Sequence, residues 1–437
     1  MKKYENSIGV NVPNILLPGK DADYYKWAVV ACDQFTSQPS YWEEAERITS
    51  GAPSTLHLIL PEAYLGKDGE KERIEDIKRT MREYLDNKTV SEIGEGFVLV
   101  TRSVAGNTRR GLVLALDLEE YDYNKGATTL IRATEGTIVS RIPPRLKIRE
   151  GAALELPHIL VLIDDPDCTV IEPLAKNEHA LPLLYDTELM QEGGHITGRF
   201  VGKESEINAV LAALSKLADK AAFDKKYPGK APFLFAMGDG NHSFATAKAY
   251  WEETKKTVPE SEWADHPARY ALVEIENVHD DGIVFEPIHR VVFGAGDGAI
   301  EKLAAILSAQ NGGCTVSEGE AKASGGKEHV IPFFYGKRAG AFTVVGPKAQ
   351  LAVGTLQNAI DAYLKETPAA EVDYIHGEAV VKELSEKPGA MGFLLPAMEK
   401  SELFPTVVYD GALPRKTFSM GEANEKRYYL ETRKIVK

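Results

Sequence analysis

The sequence APFLFAMGDGNHSFATAKAYWE, residues 231–252, decides the fold prediction for this chain. Its apolar run at 233–237 predicts a buried strand, and the following Gly238-Asp239-Gly240 predicts a tight turn. Between residues 244 and 251 the apolar side chains recur at helical spacing, so we expect a helix that begins near Asn241-His242-Ser243. The segment therefore predicts a strand, a glycine turn and a helix in direct succession.

The predicted turn has the chemistry of an anion site. The first amides of a helix have no intrahelical acceptor and carry partial positive charge, which suits phosphate. Asp239 and His242 add groups for metal binding and proton transfer, while Asn241 and Ser243 add hydrogen-bonding groups. The structural alternative is that Asn241 or Ser243 simply caps the helix. The spacing matches neither a Walker loop nor a Rossmann fingerprint.

Composition limits the class of protein. The chain has 437 residues, of which 43% are hydrophobic and 27% charged, as in globular proteins. Its net charge of −14 argues against nucleic acid as the main partner, because such binding needs clustered Lys and Arg. No apolar run could cross a bilayer, and residues 1–18 lack the apolar core of a secretory signal, so we expect a cytoplasmic protein. Three widely spaced cysteines give no disulfide framework or zinc site, and no haem or flavin signal is found.

The order of predicted elements indicates a mixed α/β (α+β) protein, since helices and strands alternate without a fixed period. Two predicted strands, 270–278 and 283–292, flank Asp280-Asp281-Gly282 and read as a β-hairpin. The composition changes after Gly294, where Gly, Ala and Ser become frequent. We therefore predict a core region at 1–295, which carries the turn, and a C-terminal α/β region at 296–437, which contributes a basic turn to the same cleft.

Other polar segments are candidates for the same site. His289 and Arg290 suit phosphate recognition, because guanidinium offers a forked set of donors, and the alternative is a surface pair on an edge strand. Arg415 and Lys416 form a basic turn that could equally be solvated surface. Glu135 is a candidate base or metal ligand, or else an exposed loop carboxylate. The candidate accessory residues are Asp33, Gln34, Arg132, Thr134 and His376.

Together these motifs resemble the DUF1015 family of bacterial and archaeal proteins over nearly the full length. The segments that carry the resemblance are 27–35, 239–243, 287–292, 374–377 and 413–418. The family is largely uncharacterised, but its Asp-Gly-His-His-Arg-type turn is similar to the phosphate-binding motif of the ParB/sulfiredoxin superfamily. Some members of that superfamily bind or hydrolyse nucleotides, and one group phosphorylates free serine. The resemblance implies a ParB/sulfiredoxin-like core that contains the strand–turn–helix phosphate site and is elaborated by further α/β segments.

The resemblance also implies roles for individual residues. Residues 239–243 would hold nucleotide phosphates, with the 289–290 pair and the 415–416 turn close to them. The chain departs from the family at Ser243, which stands where an arginine is common. A hydroxyl brings no positive charge, so either Arg290, Arg415 or Lys416 supplies that charge or the ancestral activity is altered.

These observations predict an enzyme that binds a nucleotide or another small phosphorylated ligand and catalyses phosphoryl transfer or nucleotide hydrolysis. Asp239, His242 and Glu135 are the candidate catalytic residues, and Asp239 is also the candidate ligand of a nucleotide-bound Mg²⁺. The candidate phosphate-binding residues are Gly238, Gly240, Asn241, Ser243, His289, Arg290, Arg415 and Lys416. The alternatives are a non-catalytic ligand-binding or regulatory protein and a ParB-like nucleic-acid-binding protein, against which the acidic balance argues.

Overall fold

The computed structural model describes residues 4, 6–319 and 327–436, and it confirms the mixed α/β class. The chain divides into two compact units. The first consists of Met1–Val284 and Met420–Lys437, and the second of Phe285–Ser419. The sequence placed its boundary at residue 295, whereas the first unit here ends at Val284 and resumes at Met420.

The first unit contains most of the strands. Up to Val284 its strands are β1 (Val10–Asn11), β2 (Asn14–Pro18), β3 (Val29–Val30), β4 (Val90–Glu95), β5 (Phe97–Val104), β6 (Asn107–Asp117), β7 (Tyr121–Asp122), β8 (Ile131–Arg132), β9 (Leu154–Glu155), β10 (Leu160–Ile163), β11 (Leu183–Leu189), β12 (Gly194–Val201), β13 (Phe235–Asp239) and β14 (Tyr270–Asn277). Its helices are α1 (Tyr24–Trp27), α2 (Pro39–Thr49), α3 (Glu70–Asp86), α4 (Ile142–Arg149), α5 (Glu172–Lys176), α6 (Glu204–Leu217), α7 (Lys220–Lys226) and α8 (Asn241–Lys255).

One large mixed sheet organises this unit. Its strand order is β11-β12-β5-β6-β14-β10-β13-β8-β7, with β1 beside β6. β13 lies between β10, to which it is antiparallel, and β8, to which it is parallel. The end of β13 is therefore fixed by two neighbouring strands, and the turn that follows it has a defined position.

Helix α8 packs on the sheet through an apolar stripe. Phe244, Ala247 and Trp251 are spaced by three and four residues and are at most 1% exposed. Phe244 and Trp251 belong to the same core cluster as Phe235 and Met237 of β13. The strand and the helix on either side of the turn are thus held by one core.

The second unit is a separate α/β arrangement. Its strands are β15 (Phe285–Phe293), β16 (Gly313–Glu318), β17 (Glu328–Tyr335), β18 (Arg338–Val345), β19 (Glu371–His376) and β20 (Met391–Phe393), in the sheet order β16-β18-β17-β20-β15-β19. Its helices are α9 (Ala299–Gln310), α10 (Ala352–Glu366), α11 (Glu378–Ser385) and α12 (Leu403–Asp410). The chain then passes through β21 (Phe418–Met420) and returns to the first unit for β22 (Tyr428–Tyr429) and β23 (Arg433–Lys434).

The predicted hairpin between 270–278 and 283–292 is wrong. β14 pairs with β6 and β10, whereas β15 pairs with β19 and β20. The Asp280 carboxylate accepts hydrogen bonds from the amides of Gly282 and Arg110, so the turn signal marks a side-chain-capped bend at the end of β14. Every residue of β14 is buried, and such a strand needs partners on both edges.

Among the described residues, no helix is long and apolar enough to span a bilayer.

Candidate functional site

The glycine turn forms where the sequence predicts it. β13 ends at Asp239 and α8 begins at Asn241, so Gly240 alone joins the strand to the helix. Gly240 has φ 79°, in the left-handed region, and a Cβ at this position would lie 3.1 Å from Ile159 Cα. A Cβ on Gly238 would lie 2.8 Å from Met420 Sδ. Gly240 is therefore required by its backbone conformation and by its approach to the Ile159 main chain, whereas the nearest atom to Gly238 belongs to a flexible side chain.

The N-cap residue of α8 is Gly240, which makes no side-chain capping hydrogen bond, while Ser243 Oγ bonds to His158 instead. The structural alternative, in which Asn241 or Ser243 caps the helix, is therefore not what the structure contains. The amide of Gly240 donates to Asp239 Oδ1 at 2.9 Å, and the amide of Phe244 makes the first helical bond to Gly240 O at 3.0 Å. Asn241 Oδ1 is buried and finds no hydrogen-bond partner in the described chain.

A lysine that the sequence analysis did not select lies at the turn. Lys426 Nζ is 3.2 Å from Asp239 Oδ2, and the side chains of these two residues are 11% and 26% exposed. Burial alone would raise the pKa of Asp239, but its electrostatic interactions with Lys426 and, after it, His158 lower that pKa below its usual range. Asp239 is thus an ionised carboxylate beside a cation at the start of α8.

A second group that the sequence analysis missed is a hydrogen-bonded chain from Ser243. Ser243 Oγ is 2.7 Å from His158 Nε2, and His158 Nδ1 is 2.6 Å from Tyr429 Oη. The amide of Cys32 donates to Tyr429 Oη at 3.2 Å. His158 precedes β10, whose Leu160 is paired with Asp239, so the sheet register brings this histidine to the turn.

His158, Lys426 and Tyr429 were missed because nothing in the local sequence links them to the turn. His158 is 85 residues from Ser243 along the chain, and Tyr429 is 271 residues from His158. The available signals were weak. One was a histidine after Pro157 at the start of an apolar strand, and the other was the basic and aromatic run Lys426–Tyr429 near the C-terminus.

His242, which the sequence placed at the phosphate site, contacts the segment after β8. Its Nε2 accepts the amide N–H of Ile138 at 3.2 Å, and its carbonyl accepts a hydrogen bond from Thr246 Oγ1 at 2.8 Å.

The predicted segment Arg132–Glu135 lies beside β13 because β8 pairs with it in parallel. The Arg132 guanidinium is buried and donates to the carbonyls of residues 129, 231 and 232. Thr134 Oγ1 donates to Met237 O at 2.5 Å. Arg132 and Thr134 thus hydrogen-bond main-chain carbonyls around β13, and the half-buried Glu135 follows them.

Asp33 and Gln34 adjoin the Tyr429 end of the hydrogen-bonded chain. Gln34 Nε2 donates to Asp33 Oδ1 at 2.9 Å. Burial and the neighbouring Asp33 carboxylate raise the pKa of the Cys32 thiol to about 12. Cys32 is therefore a thiol at neutral pH rather than a reactive thiolate.

The remaining predicted site residues belong to the second unit. The Arg290 guanidinium is buried and donates to the carbonyls of Ile288, Arg415 and Lys416 and to Gln357 Oε1. The Arg290 side chain therefore holds the predicted basic turn through the main-chain carbonyls of Arg415 and Lys416.

The neighbours of Arg290 are placed as follows. His289 Nδ1 accepts the amide N–H of Leu395 at 3.1 Å, and burial lowers the pKa of this histidine. Arg415 lies over the ring of Tyr374, 5.5 Å from its centroid, and 3.6 Å from Asp361. His376 is exposed at the end of β19, paired in register with Ile288.

Within the part of the chain that the structure describes, no group of three or more His, Cys, Asp or Glu side chains could hold a metal ion.

Comparison with known proteins places the chain in a family without assigning an activity. The family model described as a protein of unknown function, DUF1015, matches residues 16–366. No curated protein matches the sequence.

Three solved structures show a weak likeness. A conserved hypothetical protein from Pyrococcus furiosus is 14% identical, with a TM-score of 0.34, over 74% of this chain and 95% of its own. A free serine kinase in complex with AMP is 13% identical, with a TM-score of 0.38, over 74% of this chain and 92% of its own. SbnI from Staphylococcus aureus, with a C-terminal truncation, is 10% identical, with a TM-score of 0.33, over 70% and 81%. At these TM-scores the likenesses support no argument about this chain.

Proposed function

The chain belongs to the DUF1015 family, and from that premise we propose that it is an enzyme acting on a small phosphorylated ligand. In this proposal the turn at 238–243 binds the phosphate groups of a nucleotide or a related compound. The reaction is phosphoryl transfer or nucleotide hydrolysis. The ParB/sulfiredoxin-like relationship of the turn remains part of the proposal and rests on its motif alone.

The glycine at the N-cap of α8 is the observation that carries the proposal. Gly240 occupies the cap position and brings no side chain that could accept from the amides that open the helix. Such amides and the positive end of the helix dipole bind phosphate oxygens. The left-handed conformation of Gly240 excludes most other residues from this position.

Lys426 supports the same assignment by its charge. Ser243 stands where an arginine is common in the family, and the sequence offers Arg290, Arg415 or Lys416 as the replacement cation. Lys426 is a cation beside the turn, 3.2 Å from Asp239. An ammonium group at this position would offset negative charge on a transferred phosphoryl group. His242, in the first turn of α8, is the proposed additional phosphate contact.

A magnesium ion would enter this proposal with the nucleotide. Mg²⁺ is commonly held by one or two carboxylates together with substrate phosphates and water. Asp239 is a carboxylate at the turn whose lowered pKa keeps it ionised, so it fits as such a ligand. Glu135, in the segment beside β13, is the candidate second carboxylate.

Thermal-shift measurements with ATP, ADP and inorganic phosphate, each with and without Mg²⁺, test the proposal. We expect a saturable rise in melting temperature with at least one of them, because a ligand that binds the folded state stabilises it. An assay for phosphate or ADP release then separates an enzyme from a protein that only binds. No stabilisation by any phosphate compound would refute the proposal.

A further inference from the structure

The hydrogen-bonded chain from Ser243 to Cys32 passes through His158 and Tyr429. Burial raises the pKa of the Tyr429 hydroxyl well above its usual value, and a hydrogen bond to the Cys32 side chain acts in the same direction. Tyr429 is therefore a protonated phenol. Its oxygen accepts the amide N–H of Cys32 at 3.2 Å and lies 2.6 Å from His158 Nδ1, so the histidine ring is held between Tyr429 and Ser243.

Tyr429 orients the ring of His158 towards Ser243. In the tautomer that carries the ring proton on Nδ1, Nε2 has its lone pair towards Ser243 Oγ, 2.7 Å away, and can accept the serine proton. A serine that donates to a histidine, which is oriented in turn by a third group, is the arrangement of an activated nucleophile.

The charges around His158 favour proton transfer from Ser243. Asp239 interacts electrostatically with His158, so its carboxylate would stabilise the imidazolium that forms. Lys426 is ion-paired with Asp239 at 3.2 Å and moderates this effect, while Tyr429 presents a neutral hydroxyl. Ser243 also lies in the first turn of α8, where negative charge on a reacting group is stabilised.

We propose that Ser243 is a nucleophile, that His158 is its general base, and that Tyr429 is a positioning residue. The substrate class rests on the proposed function, and phosphoryl transfer then passes through a phosphoserine at residue 243. As the Oγ–P bond forms, the bond from phosphorus to the leaving oxygen breaks. The Oγ proton passes to His158 Nε2 and from there to the leaving oxygen.

The second step regenerates the enzyme. Water or an acceptor hydroxyl attacks phosphorus, and the Oγ–P bond breaks. The proton of the attacking group passes to His158 and then to Ser243 Oγ, so the starting protonation state returns. His242 plays no part in either proton transfer, because its Nε2 accepts the Ile138 amide.

Labelling with an alkyl fluorophosphonate tests the nucleophile directly on the full chain. In that reaction the Oγ–P bond forms, the P–F bond breaks, and His158 takes the proton. We expect one adduct, located at Ser243 by peptide mass spectrometry and absent from Ser243→Ala. His158→Gln should slow labelling by at least about 10²-fold, since a positioned proton-transfer group contributes about 10²–10⁴ in rate. The control His195→Gln changes an exposed histidine of β12 and should label at the wild-type rate.

Tyr429→Phe separates positioning from a structural role. It removes the hydroxyl that orients His158 and keeps the ring, so the maximal labelling rate should fall while the half-saturating probe concentration stays the same. Thermal unfolding of each variant checks that it folds. Labelling of folded His158→Gln at the wild-type rate would overturn the inference. A folded wild-type chain that gives no Ser243 adduct would also overturn it, and this second result does not depend on whether a variant folds.

A second arm distinguishes this inference from the proposed function. Incubation with MgATP should give phosphoserine at 243, detected by mass spectrometry. Binding of ATP without a Ser243 adduct from either reagent refutes the nucleophile and leaves the proposed function standing. A fluorophosphonate adduct without binding of any phosphate compound refutes the phosphoryl substrate class.

Discussion

At the scale of single residues, Gly240 decides whether the turn can exist. Its positive φ and its contact with Ile159 act together against any side chain. The chain offers a control that separates the two effects. Gly66 has φ 72° with no atom within 4 Å of an added Cβ, so it has the conformational requirement without the contact.

Replacement of Gly240 by alanine should therefore destabilise the protein more than replacement of Gly66. A non-glycine residue in the left-handed region costs about 1–2 kcal/mol. At Gly240 the displacement of the Ile159 main chain adds to this cost, so we expect about 2–4 kcal/mol in urea unfolding. Equal losses for the two variants would show that the contact with Ile159 is unimportant.

At this scale, sequence predicts those features of the site whose structural requirements are local. The turn, its two glycines and the start of α8 follow from residues 231–252, because each depends on its own neighbours. Lys426 and His158 could not be found in the same way. Their positions depend on the pairing of β10 with β13 and on the return of the C-terminal segment, both of which join distant parts of the chain.

At the scale of elements, β14 is a buried strand that carries two carboxylates. Glu274 and Glu276 are at most 1% exposed, and Glu276 Oε1 lies 3.0 Å from Arg109 Nε. Burial raises the pKa of Glu276 to about 7, with Glu274 and Asp280 acting in the same direction and Arg109 opposing them. The burial of these two carboxylates does not follow from the usual alternation of buried and exposed residues along a strand, because β14 is buried on both faces.

The stability contributed by Glu276 should consequently fall as the pH rises from about 4.5 to about 7. Glu276 binds its proton more tightly in the folded chain than in the unfolded chain, so its favourable contribution is complete below about pH 4.5 and is lost above 7. Glu276→Gln mimics the protonated side chain. It should match the wild type at pH 4 and melt a few degrees higher at pH 8.5, since 1 kcal/mol shifts the melting temperature by about 2–4 °C. The exposed Glu286→Gln is the control, and parallel pH profiles for wild type and Glu276→Gln would contradict this account.

At the scale of the whole molecule, the first unit is completed by the C-terminal segment. β22 pairs with β3, β23 pairs with β9, and Lys426 and Tyr429 join the turn from the same segment. Arg427, between them, is 1% exposed and forms ion pairs with Glu274 and Glu431. A domain boundary predicted from composition alone misses the return of the C-terminal segment, because that return depends on contacts between distant residues rather than on local sequence.

Loss of Arg427 should therefore destabilise the first unit strongly. Arg427→Met leaves two buried carboxylates without their cation, which costs about 3–5 kcal/mol. Lys434→Met is the matched control in the same segment, since its ion pair with Glu92 is nearly half exposed and is worth at most about 1 kcal/mol. Urea unfolding measures both, and similar losses would show that the buried network does not stabilise the return of the chain.

The central claim is that the start of α8 and Lys426 together bind phosphate. Isothermal titration of the wild type and of Lys426→Met with MgATP tests it most directly, with Lys434→Met as the control for loss of a lysine. We predict one site per chain in the wild type and in the control. In Lys426→Met the affinity should fall by about 10- to 100-fold, because a charge-assisted hydrogen bond contributes about 1.5–3 kcal/mol. Wild-type affinity in a folded Lys426→Met chain, or no binding to the wild type at all, would contradict the account.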